Sequence, residues 1–453
     1  MHTLEQLKTG QLAGTQRLKL ACGLKTFPRE IFDLADTLEI LDLSGNALSV
    51  LPDDLPRLHR LRVLFCSDNR FTELPEILGQ CPQLSMIGFK ANRIHTVSRK
   101  ALPPTLRWLI LTDNRIEELP AEIGQCTPMQ KLMLAGNRLH TLPQELANCT
   151  RLELLRISAN QFSELPAWLT AMPRLAWLAY AGNPFCAEQE TTALNDIAST
   201  AIDWGELQLA QCLGEGASGV IHQATHLGQA GKRPVAVKLF KGAITSDGLP
   251  LSEMTACLNA GAHPNLIPVL GRIQAHPSSA HGLVMALIDP VFRSLANPPS
   301  LDSCTRDCYA PDTRFDLNAV LQIALGIASA ARHLHAAGIL HGDLYAHNML
   351  HDDRGEILLG DFGAASLLPA DAPDLAHALQ RIEVRAFACL LEELLARTGA
   401  VDEGAEDTRA ALVRLQNEVM QENTRERPLF VEIEQQLIDL LRAVQMPNSQ
   451  RAS

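Results

Sequence analysis

One asparagine position recurs through the first half of this 453-residue chain with a nearly fixed period. Asn46, Asn69, Asn92, Asn114, Asn137, Asn160 and Asn183 follow one another at steps of 23, with a single step of 22. Each is preceded by a Leu-x-x-Leu-x-Leu-like run, as in Leu106-Arg-Trp-Leu109-Ile-Leu111 and Leu152-Glu-Leu-Leu155-Arg-Ile157. A Leu-Pro pair follows most of them: Leu51-Pro52, Leu74-Pro75, Leu119-Pro120, Leu142-Pro143 and Leu165-Pro166. Residues 18–28 read as one more copy, with Gly23 at the asparagine position. A unit this short cannot bury its own apolar face, so the copies must stack on one another into a solenoid. Each copy then lays down a short strand with its leucines inward, and the asparagine side chain satisfies backbone groups in the following turn. The copy around Val97-Ser-Arg-Lys-Ala-Leu-Pro103-Pro104 is a residue short and carries two prolines, which predicts a local change on the convex side without a domain break.

This pattern resembles the leucine-rich repeats. On that resemblance, two columns of strand residues point out of the concave face. One is Ile40, Val63, Met86, Trp108, Lys131, Leu154 and Trp177. The other is Asp42, Phe65, Gly88, Ile110, Met133, Arg156 and Ala179. They are apolar for a surface, and a contiguous exposed apolar stripe marks a binding face. Phe65, Met86, Trp108, Ile110, Met133 and Trp177 are therefore the candidate residues for a protein partner or substrate.

A formal charge of -12 argues against nucleic acid or an anionic membrane as the main partner. No basic-then-apolar leader opens the chain, and no apolar stretch is long enough to span a bilayer. The eleven cysteines are odd in number, so a fully paired disulfide framework is not expected. Cys81, Cys126 and Cys149 each stand eleven positions before a repeat asparagine, where Leu58 stands in another copy, and Cys66 fills another ladder slot. They read as small core residues, and Cys304 and Cys308 lack the second pair that zinc requires. A reducing cytoplasm fits best.

From Trp204 the pattern changes to strand, glycine turn and strand. Leu213-Gly214-Glu-Gly216-Ala-Ser-Gly219-Val220-Ile221 carries three glycines in a Gly-x-Gly-x-x-Gly spacing. Alone this is weak, since a dinucleotide loop shares it. A strand rather than a helix follows here, which fits a hairpin lid over phosphates. Downstream, Lys238 sits in the apolar strand Val235-Ala236-Val237-Lys238, and a buried ammonium needs an anion. Between residues 239 and 262 the only acids are Asp247, beside a turn glycine, and Glu253, in a helix-like run. Glu253 is the expected ion-pair partner. Further on come His341-Gly342-Asp343-Leu344-Tyr345-Ala346-His347-Asn348 and then Asp361-Phe362-Gly363.

Taken in order, these motifs resemble the protein kinases over roughly residues 205–440. His263-Pro-Asn, the hinge-like run Gly282–Ile288, the helix expected at 317–337, the buried helix around 382–394 and Arg427-Pro428 agree with that order. The whole chain is thus similar to leucine-rich-repeat proteins fused to a eukaryotic-like protein kinase domain, of the bacterial type. The implied fold is multidomain: an α/β leucine-rich-repeat solenoid (1–186), a cap or linker (187–203), a bilobal α+β protein-kinase-like domain (204–445) and a polar tail (446–453).

The resemblance implies an ATP- and Mg2+-dependent phosphotransferase, most simply a protein Ser/Thr kinase. Asp343 would be the catalytic base, and Asn348 and Asp361 the magnesium ligands. Lys238 would position the phosphates, held by Glu253. Leu213, Gly214, Gly216, Gly219, Ile221, Ala236, Ala286 and Leu287 would surround the nucleotide, with adenine bonding backbone near the last two. His341 would anchor the loop, and His333, His335 and His347 would be structural or surface residues.

Three departures stand out. Gly342 replaces the arginine that in many relatives meets a phosphorylated loop. The segment from Asp361 to Glu383 is short, with Ser366 its one hydroxyl and no Ala-Pro-Glu. Tyr345 stands where Ser/Thr kinases commonly carry a lysine. These keep two alternatives open: a catalytically weak or inactive nucleotide-binding scaffold, and a kinase for a non-protein acceptor.

Overall fold

The computed structural model describes residues 2–196, 201–216, 218–228, 231–242, 244–352, 354–399 and 406–445. The tail expected at 446–453, residues 197–200 of the connector and Ala217 of the glycine run lie outside the described residues. The chain divides into two compact units, Met1–Arg174 with Asn183–Phe185, and Leu175–Gly182 with Cys186–Ser453. This division resumes the second unit at Cys186, beside the boundary expected at 186, and also assigns the last strand motif, Leu175–Gly182, to that unit.

In the first unit, strands Arg17–Lys19, Ile40–Asp42, Val63–Phe65, Met86–Gly88, Trp108–Ile110, Lys131–Met133 and Leu154–Arg156 pair in parallel, each with the next. The middle residues Leu18, Leu41, Leu64, Ile87, Leu109, Leu132 and Leu155 are fully buried. Because side chains alternate faces along a strand, the flanking residues form the two columns expected from the sequence.

The asparagines tie each copy to the one before it. The Asn137 amide donates to Leu111 O and Leu134 O (both 2.9 Å), and its Oδ1 accepts from Ile116 N at 3.0 Å. Asn69, Asn114 and Asn160 repeat this pattern, so every polar atom of a buried side chain is used. The residue just before each asparagine is left-handed: Gly45, Asp68, Ala91, Asp113, Gly136, Ala159 and Gly182 have φ between +52° and +74°. The short copy leaves the strand ladder intact: Met86–Gly88 still pairs with Trp108–Ile110, and its 3-10 turn, Arg99–Ala101, spans three residues, as Leu55–Arg57 and Leu169–Ala171 do in full-length copies.

Met86, Met133 and Trp177 are only 3%, 8% and 1% exposed, which corrects the expectation that they face a partner. Parallel strands lie about 4.8 Å apart, so a long side chain fills the gap between its register neighbours. Met86 lies between Val63 and Trp108, and Met133 between Ile110 and Arg156. Phe65, Trp108 and Ile110 stay partly open. Phe65 meets Trp108 edge-on at 6.4 Å, and the Lys131 ammonium lies 4.4 Å from the Trp108 ring centroid. The ladder cysteines Cys66, Cys81, Cys126 and Cys149 are buried, and desolvation pushes the Cys126 thiol up to about 12.

The second unit holds a six-stranded sheet in the order Ala201–Asp203, Val269–Gln274, Gly282–Ala286, Gly231–Phe240, Gly219–Gly228 and Leu207–Glu215. The expected connector is built into this unit. Ala187–Asp196 is a helix, and Ala201–Asp203 pairs in parallel with Val269–Gln274. Helix Pro250–Asn259 carries Glu253. A helical portion follows: Leu317–Ala336, Pro373–Leu395, Glu406–Val419 and Phe430–Gln445. The first of these starts where Asp316 Oδ1 accepts from Ala319 N at 2.7 Å, and it gives way at left-handed Gly338. The buried guanidinium of Arg427 donates to Gln421 O and Arg381 O, so the Arg-Pro pair closes the fold through backbone carbonyls. No helix among the described residues is long and apolar enough to cross a membrane.

An L-residue in the left-handed region costs about 1–2 kcal/mol. Replacing Ala159, at φ +53°, by glycine is expected to stabilise the repeat unit by about 1 kcal/mol after the entropy lost by glycine is deducted. The midpoint of its urea transition, followed in the full chain, checks this.

Candidate active site

Strand Gly231–Phe240 sets two faces. Val235 and Val237 point into the sheet core with Ile202, Leu207, Ala224 and Val284. By alternation Ala236 and Lys238 share the other face. Lys238, 7% exposed, pairs with Glu253, which is 2% exposed, and its Nζ lies 3.5 Å from Asp361 Oδ1. Burial by itself would lower the Lys238 pKa. Asp361 and Glu253 together outweigh it and raise the ammonium above the ordinary lysine value, so it stays charged. Helix Pro250–Asn259 and the Asp361 turn are thereby joined at one cation.

Beside this pair lies a cavity of about 490 Å³ whose walls include Leu213, Ile221, Ala236, Ala286 and Leu287, all expected from the sequence. Ile267, Met285 and Leu350 line it too and were not singled out, since nothing in an apolar run says which of its members faces a cleft. The Ala286 N–H is donated to Pro268 O at 2.9 Å. That removes it as a donor for a ligand and leaves the neighbouring backbone of Leu287.

The glycine run forms a hairpin: Gly214 pairs with Ile221, Glu215 with Val220, and Gly216 N donates to Gly219 O at 2.9 Å. A Cβ on Gly219 would come within 2.5 Å of Leu239 O, so its glycine is explained by the protein itself. Gly214 and Gly216 have open space where a Cβ would stand. Nothing in the protein demands glycine there, and backbone left bare over a cleft suits a close-lying phosphate.

The loop from His341 to Asn348 runs between strands Ile339–Leu340 and Met349–His351. Asn348 Nδ2 donates to Asp343 Oδ2 at 2.7 Å and to Asp343 O at 3.0 Å. This fixes the carboxylate and turns the Asn348 amide oxygen away from it. Asp361, left-handed at φ +53° and half exposed, follows the hairpin Met349–His351 and Ile357–Leu359. Two oxygen donors of this kind suit a hard cation that completes its shell with phosphate and water, as magnesium does. Among the described residues no cluster of three or more acids, histidines or cysteines could cage a metal without such help.

His341 is the anchor expected of it. It is fully buried, donates through Nε2 to Gly360 O at 3.0 Å, accepts from Asp343 N at 3.3 Å and packs against Phe362. Glu383 was missed. It is 1% exposed and accepts from Gly342 N at 2.6 Å and from His335 Nε2 at 2.7 Å. Burial alone would raise its pKa. The bonds from His335 and Gly342, with the nearby His341, bring it below the ordinary value. Gly342, at φ +74°, has no room for a side chain, since a Cβ would lie 2.6 Å from both Ala364 O and Leu178 O. Asp307 was also missed. It accepts from His347 N at 3.1 Å and pairs with His347 Nδ1 at 2.7 Å, so the irregular stretch after the hinge braces the loop. Only its three-dimensional position could have signalled this.

Comparison with known proteins agrees with this geometry. The model of the protein tyrosine and serine/threonine kinases matches residues 207–394, and leucine-rich-repeat models match residues 37–58 and 104–162. The chain carries leucine-rich repeats followed by a protein kinase domain. It is 29% identical over 216 residues to the serine/threonine-protein kinase PkaB of Streptomyces coelicolor, covering 41% of this chain and 47% of that protein. The probable serine/threonine-protein kinase PknB of Bifidobacterium longum is 27% identical over 178 residues, covering 38% and 24%. A probable serine/threonine-protein kinase of Dictyostelium discoideum is 27% identical over 172 residues, 38% of this chain and 10% of its own length. The chain therefore spans less than half the length of these relatives.

Because the Glu383 pKa lies below its ordinary value, the carboxylate contributes stability above pH 4.5, and this contribution is lost as pH falls through the folded value. Glu383→Ala, which leaves His335 and Gly342 N unpaired, is expected to cost about 3–5 kcal/mol near neutral pH. The gap to wild type should narrow at acid pH. Denaturation of both proteins across that range checks this.

Proposed function

We propose that the chain transfers the γ-phosphoryl group of ATP to a hydroxyl of a protein substrate, most simply a serine or threonine. The observation that carries this is the Lys238 ammonium held between Glu253 and Asp361, 3.5 Å from the latter, in the same unit as the Asp343–Asn348 pair. Adenine would enter the cavity formed by Leu213, Ile221, Ala236 and Leu287, with Gly214 and Gly216 over the phosphates. Lys238 would bind the α- and β-phosphates, to which its charge is matched. Asp343 would orient the acceptor hydroxyl and take its proton as the hydroxyl oxygen bonds to phosphorus and the bond to the ADP oxygen breaks. Asn348 and Asp361 would hold Mg2+, which when bound neutralises the triphosphate charge.

The open parts of the concave face, Phe65, Trp108 and Ile110, would recruit a protein partner or the substrate itself. The odd cysteine count and the buried ladder cysteines suit a reducing, cytoplasmic setting.

A second reading has its own support. Helix Pro373–Leu395 begins soon after Asp361-Phe362-Gly363, which leaves little chain for a peptide platform. This favours a nucleotide-binding scaffold or a kinase for a non-protein acceptor. Labelled ATP with magnesium separates the readings. Phosphate should appear on the chain or an added protein, and Asp343→Asn should lower the rate by about a thousandfold or more while ATP still binds. Binding without turnover on any protein or small-molecule acceptor would mark a scaffold. Ala236→Phe fills the cavity wall and is expected to weaken ATP binding by about a hundredfold, read by titration calorimetry on a protein whose melting is unchanged.

A further inference from the structure

Residues 175–182 are the final strand motif of the repeats, yet they belong to the second unit and bear on its catalytic loop. Trp177 is stacked on Tyr345, with ring centroids 4.2 Å apart and planes 7° from parallel, and its Nε1 donates to Leu344 O at 3.3 Å. The Leu178 carbonyl oxygen stands 2.6 Å from where a Gly342 Cβ would be, and so excludes any side chain there. Tyr180 N and Ala181 N both donate to Ser366 Oγ, at 3.0 and 3.2 Å, and the Tyr180 hydroxyl donates to Leu367 O at 3.0 Å. On its other side Ser366 pairs with Leu340, the residue just before His341. Trp177, Tyr180, Tyr345 and Ser366 are all buried.

We infer that residues 177–181 are a built-in clamp that positions the Asp343 loop and the segment after Asp361, with Ser366 as its fixed point and not a phosphate acceptor. The inference rests on the phosphotransfer reading above. Phosphoryl transfer depends on placement, and displacing reacting groups by about 1 Å costs on the order of a hundredfold in rate. A segment can be ordered by a phosphate that bridges it to cations, or by direct bonds to a neighbour. Ser366 is the only hydroxyl between Asp361 and Glu383, and its buried oxygen already accepts two amide protons. A phosphate there would bring nearly two negative charges toward Glu190, which lines the same cavity as Ser366. The ordering role falls to the strand instead, through Trp177, Tyr180 and Ala181 as positioning residues.

The test uses the full chain after phosphatase treatment. Wild type should keep its turnover, with no phosphate found on Ser366 by mass spectrometry. Ser366→Ala should lower kcat by about tenfold or more with ATP affinity within about twofold of wild type, and Ser366→Thr, which keeps the hydroxyl, should restore it. Hydrogen exchange supplies a readout independent of activity: the amides of Tyr180 and Ala181 should lose protection in Ser366→Ala and keep it in Ser366→Thr. Tyr180→Phe, which removes the bond to Leu367 O, serves if Ser366→Ala does not fold, and should lower kcat in the same sense. Full turnover in the Ala variant (or in the Phe variant, where that stands in), or stoichiometric phosphate on Ser366 of the active protein, overturns the inference. If wild type turns over no acceptor, the phosphotransfer reading fails and exchange alone decides the clamp. Retained protection in Ser366→Ala then overturns it, and lost protection supports it.

Discussion

Glu383 is a carboxylate buried in helix Pro373–Leu395, and the loop from His341 to Asn348 hangs from it. One oxygen takes the Gly342 N–H and the other takes His335 from helix Leu317–Ala336. Two helices and the loop between Leu340 and Asp343 are thus joined at a single charged group with almost no exposure. Removing such a charge from water is costly unless its lone pairs are filled, and here they are filled by a backbone donor and an imidazole. His341 continues the arrangement on the next residue, since it bonds Gly360 O and so connects the loop to the turn that carries Asp361. These buried bonds place the loop around Asp343, and the bonds from Asn348 fix its carboxylate.

The first unit depends on a different constraint, repeated many times. Its asparagines each satisfy carbonyls in two successive copies, and each is reached through a left-handed residue. That pairing is local in sequence. It leaves a 23-residue signature visible without a structure, and the parallel register Ile40–Val63–Met86–Trp108–Lys131–Leu154 follows from it directly. Side-chain exposure does not follow from it. Met86 and Met133 occupy outward columns and are nevertheless covered, because register tells which way a residue points and not what lies beside it.

The site shows the same division. Lys238, Asp343, Asn348 and Asp361 stand out in the sequence because the proposed phosphoryl transfer needs those residue types at fixed positions on one strand, one loop and one turn. Glu253 was legible by elimination, being the only acid on a helix in the right interval. Asp307 and Glu383 were not legible, since each acts on a loop residue about forty positions away, His347 and Gly342, through a fold that no local pattern encodes. Trp177 was misread for the same reason. It carries the repeat pattern, but its environment is set by Leu344, 167 positions later, and by the Tyr345 ring.

The sequence by itself determined the repeat period, the order of the kinase motifs and the residues bearing charge at the site, because these are properties of spacing. Only the tertiary structure decided why residue 342 is a glycine and where the final repeat strand goes. A missing side chain is an oddity in a sequence. It becomes an explanation once the carbonyl oxygens of Leu178 and Ala364 are found in the space that side chain would need.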